Sequence, residues 1–198
     1  MTHELDKLLR RGLLLEYITL GWNLAGSAVL LYSAFKADSV ALAGFGLDSV
    51  IEIGASTVVI WQLTKAGKDR EKKALRFIGA AFFALALYIL AQSSRALYMQ
   101  QHPATSSIGI VWLILTCAIM VALAQGKRIV GTKLNNPVLV AEGRVTMVDA
   151  YLAASVLAGI GLNTLLNWWW ADPAACFVII FYGIKEGHHA WTAGKNRQ

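Results

Sequence analysis

Between Ser39 and Thr57 the chain reads S-V-A-L-A-G-F-G-L-D-S-V-I-E-I-G-A-S-T, an apolar, Gly/Ala-rich stretch long enough to cross a bilayer. Near its middle it holds two carboxylates, Asp48 and Glu52. In a helix, residues four apart stand on one face, one turn from each other. Burying two anions in hydrocarbon costs on the order of several kcal/mol. A sequence that keeps such a pair has a use for it, and a shared cation is the direct way to make it tolerable.

The rest of the chain supplies the apolar surroundings. Of its 198 residues, 57% are hydrophobic and 15% charged, against roughly a quarter charged in ordinary globular chains. Six apolar segments follow one another, over residues 12–35, 39–64, 74–98, 107–125, 137–162 and 168–184. A spanning helix needs roughly 20 mostly apolar residues. The sequence therefore predicts an all-α fold: a bundle of six transmembrane helices in one domain over residues 1–198, with no soluble C-terminal domain.

The net charge of +6 raises the question of nucleic acid, and the placement of the charges argues against it. Lys and Arg gather at the N-terminus, in K-A-G-K-D-R-E-K-K between segments two and three, in Q-G-K-R-I-V-G-T-K-L-N-N-P between four and five, and at the C-terminus. With Arg76 and Arg144 these places hold all of the 18 Lys and Arg except Lys36 and Arg95. The positive-inside rule then puts both termini and the even connectors in the cytoplasm of a multi-pass protein of the plasma membrane. The tryptophans of N-W-W-W-A-D-P, where segments five and six join, fall at the outer interface, which favours Trp. M-T-H-E-L-D-K-L-L-R-R is too polar for a cleaved signal peptide.

Segment five reads P-V-L-V-A-E-G-R-V-T-M-V-D-A-Y-L-A-A-S-V-L-A-G-I-G-L. Asp149 sits mid-span, and Glu142 lies seven residues earlier on the same face, about 10 Å away along the axis. Val145 and Thr146 fill the turn between. Segments two and five run in opposite directions, and Asp48 and Asp149 sit at depths that match within a turn. Gly, Ala and Ser on both permit close approach. Asp48, Glu52 and Asp149 thus form a candidate divalent-cation site, completed by water or a fourth side chain.

On these residues the chain resembles the transmembrane domain of the cation diffusion facilitator family, six-helix metal/proton antiporters. That family carries two ligands four apart on its second helix, in a context like A-D-S-x-x-D-I-G-A-S. L-D-S-V-I-E-I-G-A-S matches it, with Glu52 for the second Asp. On helix five the family has His or Asp followed four residues later by Asp. Asp149 matches the second position, while the first falls on Val145, which cannot bind metal. The A-D-P at Ala171–Pro173 looks like the family's entry to helix six. The resemblance implies transport of a divalent metal (zinc, manganese, iron or cobalt) in exchange for protons, most simply as export, by a homodimer. The metal is then substrate, and no organic cofactor is implied. The closest likeness is to short members without the soluble domain and the His-rich connector.

Other polar residues have humbler readings beside functional ones. Glu142 and Glu16 pair with Arg144 or another interfacial cation, or form an entry site with Thr146. Asn23 makes an interhelical hydrogen bond before it makes a ligand. His188 and His189, beside Glu186, are a surface pair before they are a low-affinity loading site; His3 and His102 are exposed by position. Asp172 is a helix N-cap before Pro173. Tyr17, Trp22, Trp61 and Trp112 are packing or interface residues. Cys117 and Cys176 lack any zinc-module spacing and read as core thiols. Two other classes of function remain: a non-transporting membrane protein that binds metal, or whose acids only hold helices together, and an intramembrane enzyme. The second lacks both a His-containing metalloprotease spacing and a Ser nucleophile motif, so no enzyme is expected.

Overall fold

The computed structural model describes residues 2–37, 40–64, 68–100, 106–166 and 168–196. The side chains of His3, Asp172 and Cys176, residue 102, residues 65–67 and the side chains of 68–70 lie outside what it describes. The fold is all-α: α1 (Thr2–Ala37), α2 (Val40–Thr64), α3 (Lys68–Tyr98), α4 (Ser107–Lys133), α5 (Pro137–Leu166) and α6 (Ala171–Asn196). Each apolar segment has its helix, but most helices are longer. An apolar window stops where the side chains become charged. The backbone ladder does not, because Lys, Arg and Glu are good helix formers. Thus α1 begins ten residues before the predicted 12, α4 runs past 125 to Lys133, and α6 carries on past 184 to Asn196.

The α4–α5 connection shows how a real end is made. Asn135 takes a left-handed φ of 49°. The Asn136 amide donates to the Gly131 carbonyl at 2.8 Å, and the Asn135 amide to that of Thr132 at 3.1 Å. This is the Schellman pattern, with Asn where Gly is commoner. Asn136 Oδ1 then accepts from the amides of Val138 and Leu139 at 3.0 and 3.1 Å, capping α5, with Pro137 at its first position. The basic run from Lys127 to Lys133 is helix; only residues 134–136 connect.

Among the described residues, four helices are long and apolar enough to cross a membrane: Glu4–Lys36, Glu71–Tyr98, Ser107–Lys133 and Pro137–Leu162. Their outward faces carry large apolar side chains, among them Leu14, Leu24, Phe77, Leu87, Ile108 and Val111. In water this would be a severe liability; in lipid it is the solvent-facing surface. The most extensive packing joins α3 to α6, α4 to α5 and α1 to α2, while α2 and α5 also touch each other and α3. Gly12 of α1 packs on Leu63 at the end of α2, Leu139 at the start of α5 and Val130 at the end of α4. Gly194 of α6 packs on Leu75 and Arg76 at the start of α3. These contacts define what is called here the terminal end of the bundle.

Small residues act elsewhere than the sequence suggests. A Cβ on Gly79 would lie 3.0 Å from the Gly187 carbonyl oxygen, and one on Gly143 3.0 Å from that of Ala124. The closest backbone approaches are thus α3 on α6 and α4 on α5. Gly54 of α2 and Gly161 of α5 have nothing within 4 Å. At the α2–α5 contact polar side chains meet among apolar ones: Asp48, Glu52 and Asp149 share a cavity with Ala55 and Val145, and Ser56 bonds Glu142.

Candidate functional site

On α2 the buried positions Phe45, Asp48, Glu52, Ala55, Ser56 and Val59 recur every three or four residues, so one stripe faces inward. On α5 the inward stripe includes Glu142, Val145, Thr146, Asp149 and Leu152. On α1 it includes Glu16, Thr19, Asn23 and Ser27. The three stripes meet as a polar column inside an apolar bundle.

Midway along the column, Asp48, Glu52 and Asp149 line one small cavity, each carboxylate residue only 3% exposed. Its other walls are apolar: Ile51 and Ala55 of α2, Ala81, Phe82 and Leu85 of α3, and Val145 of α5. The space open to the centre of a water-sized sphere is about 10 Å³, the size that admits a single water or bare ion. Asp149 of α5 shares the cavity wall with Asp48 and Glu52 of α2. Asn23 Nδ2 donates to Glu52 Oε2 at 2.8 Å. Glu52 Oε1 and both oxygens of Asp149 are buried without a hydrogen-bond donor. Buried carboxylate oxygens without donors are costly, and opposed carboxylates repel, so the cavity calls for a cation or protons between them. Among the described residues no three His, Cys, Asp or Glu side chains are drawn together as tightly as in a formed metal centre. The three acids share a cavity without yet closing around a point.

The other sequence candidates divide. Asn23 joins the cavity through Glu52. Glu16, Glu142 and Thr146 do not line it; they converge one level nearer the terminal end, on a residue the sequence reading passed over. Lys127 of α4 is fully buried. Its Nζ lies 3.2 Å from Glu16 Oε2 and 3.3 Å from Glu142 Oε1, and donates to Thr146 Oγ1 at 3.0 Å. Ser56 Oγ donates to Glu142 Oε1 at 3.3 Å, tying this group to α2 one turn from Glu52. Glu142 therefore pairs with Lys127 and not with Arg144, which reaches Glu186 at 3.1 Å on a half-exposed surface. The expected pairing with an interfacial cation becomes an interior one.

Lys127 was concealed by its neighbours in a basic run that reads as a connector. A signal was nonetheless present. The buried positions of α4, Leu113, Thr116, Met120, Leu123, Lys127 and Val130, keep helical spacing straight through it.

The remaining aromatic and histidine residues behave as packing and surface groups. Trp22 stacks on Trp112 with ring centroids 4.5 Å apart, and its Nε1 donates to Thr116 Oγ1, locking α1 to α4. Tyr17, Trp61, His188 and His189 are exposed, and His189 Nδ1 lies 3.8 Å from Glu186. Cys117 is half-buried, its Sγ 3.7 Å from the Ala150 carbonyl.

No family model matches the sequence. The chain is similar to transmembrane protein 163 of Xenopus laevis, 23% identical over an alignment of 198 positions that covers 92% of this chain and 68% of that protein. A multi-pass membrane protein is the reading common to that likeness and to the apolar helices.

Proposed function

We propose that this chain transports a divalent transition-metal cation across the membrane by alternating access, in exchange for protons. One observation carries the reading: Asp48 and Glu52 of α2 and Asp149 of α5 line a single ion-sized cavity in an apolar bundle, with carboxylate oxygens left unpartnered. The motif likeness to cation diffusion facilitators on α2 and α5 supports it. All six helices cross the plasma membrane in this reading, α2 and α6 beside the four of evident length, and the terminal end is cytoplasmic. The protein works as a homodimer and exports its cargo. The acids take the ion when the cavity opens inward; protons entering from outside compete for the same oxygens and release it. No bond in a substrate is made or broken, so the protein is not an enzyme.

A second reading has its own observation. The Asn23–Glu52 hydrogen bond joins α1 to α2, and on this reading the acids are helix ties only, in a protein that moves nothing. Thermal unfolding of the purified protein separates the two. Manganese(II) or zinc(II) should raise the midpoint of the wild type and leave that of Asp48→Ala unmoved. A wild-type midpoint indifferent to every divalent ion would favour the helix ties.

Orientation is tested at the α4–α5 connection. A single cysteine in place of exposed Lys133, with Cys117 and Cys176 replaced by serine, should react with an impermeant maleimide only from the cytoplasmic side. Labelling in intact cells would invert or break the six-pass arrangement.

Selectivity follows from the donors. Carboxylates suit harder ions and imidazole favours zinc. With Val145 in the cavity wall where the family places a ligand, manganese, iron(II) and cobalt should compete well against zinc. Val145→His adds an imidazole one turn from Asp149 and should shift the zinc-to-manganese uptake ratio about tenfold towards zinc, the scale of roughly 1.4 kcal/mol. Competition uptake with both ions reads the ratio directly; an unchanged ratio would show that residue 145 does not reach the ion.

A further inference from the structure

We propose that Glu16 and Glu142 form a second cation site, separate from the Asp48–Glu52–Asp149 cavity, which in this structure is filled by the chain's own Lys127 ammonium. A divalent cation takes the site when that ammonium withdraws.

The charge count is the first argument. Two carboxylates from α1 and α5 face one ammonium, and all three side chains are shut off from solvent. The ammonium neutralises one carboxylate and leaves the other over. A divalent ion would balance both. Geometry is the second argument. Lys127 donates to Glu142 Oε1 and Thr146 Oγ1, but its 3.2 Å contact with Glu16 lacks hydrogen-bond alignment, so both Glu16 oxygens are without a donor. Glu142 Oε2 is likewise buried without a donor. An ammonium has three directional hydrogens and cannot serve this many oxygens. A metal ion has no such directionality, and the oxygens of Glu16, Glu142, Ser56 and Thr146 are the hard donors that manganese or magnesium accepts.

The position gives the arrangement a use. Ser56 ties Glu142 to α2 one turn from Glu52, and Glu142 is two turns from Asp149, about 10 Å along α5. The second site therefore lies between the cavity and the terminal end. Lys127 hangs on a flexible four-carbon stem two turns from the end of α4, and can swing towards water there. On the transport reading, an arriving ion displaces the ammonium, waits on Glu16 and Glu142, and passes to the acids above; the ammonium's return closes the path behind it. This use rests on the transport reading; the binding site does not.

The test isolates the second site by disabling the first. The full chain carrying Asp48→Asn and Asp149→Asn is purified, and bound manganese(II) is counted by equilibrium dialysis. Adding Lys127→Gln should create one manganese site per chain. Adding Glu142→Gln as well should weaken it at least tenfold. No gain of manganese on Lys127→Gln, or a gain that Glu142→Gln leaves untouched, overturns the proposal. Should Lys127→Gln unfold in chelator, its thermal midpoint should climb with manganese concentration and cease to climb once Glu142→Gln is added. A midpoint that ignores manganese overturns the proposal equally. Failure of the first site shows up separately, as unchanged manganese binding when Asp48→Asn and Asp149→Asn are introduced into the otherwise wild-type chain.

Discussion

Asp149→Asn is expected to reduce divalent-cation uptake to the level of protein-free liposomes, with the protein still folded and inserted. The amide is nearly isosteric with the carboxylate, so the cavity keeps its shape. What disappears is the charge and the one acid that α5 contributes to the cavity. The remaining Asp48 and Glu52 are both on α2, and Glu52 is half engaged by Asn23. An ion held from one helix alone loses the cross-bundle grip that ties its binding to helix movement. Stability should be unchanged or higher, because an unpartnered buried carboxylate has been removed. Uptake and thermal unfolding measured on the same preparation give the answer. Wild-type uptake in this variant would remove Asp149 from the site.

Lys127→Met should instead strike stability. The side chain fills nearly the same volume, but Glu16 and Glu142 are left buried without a counter-charge. Breaking a buried pair by removing one partner typically costs about 3–5 kcal/mol. In the presence of chelator the variant should melt well below the wild type. Removing the two stranded carboxylates as well, by adding Glu16→Gln and Glu142→Gln, should recover most of the loss, since replacing a whole buried ion group is often neutral. Single and triple variants compared by thermal unfolding separate charge from packing. A Lys127→Met protein as stable as the parent would mean that the two glutamates carry no charge in the folded state.

Much of the bundle was legible because lipid imposes a simple rule. Every apolar stretch had to satisfy its own backbone, and helices were the only local solution. Helix ends were less legible, since hydropathy marks where the membrane stops and not where hydrogen bonding stops; Lys133 and Asn196 end helices well outside the apolar windows. Asp48 and Glu52 could be read as a pair from their spacing, and Asp149 joined them by depth alone. The group around Lys127 was only half legible. Glu16, Glu142 and Thr146 stood out as polar residues in apolar helices, but what joins them is Lys127, an ordinary basic residue by its neighbours Gln125 to Lys133. A cation inside a run of cations gives no composition signal; only the helical spacing of the buried α4 positions sets it apart. The α2–α5 seam was misjudged for a related reason. Its small residues suggested that the closest glycine contacts would fall there, whereas the glycines of α3, α4, α5 and α6 make them between α3 and α6 and between α4 and α5.

The central claim is that the carboxylate cavity moves metal in exchange for protons. Proteoliposomes loaded with a metal-sensitive dye and given an imposed pH gradient test it most directly. Manganese(II) and zinc(II) added outside should enter the lumen when the lumen is the acidic side, and entry should slow when the gradient is collapsed with an ionophore. The Asp48→Asn liposomes should stay dark. Metal entry that is the same in wild-type and Asp48→Asn liposomes, or no entry in either under any gradient, would contradict the account.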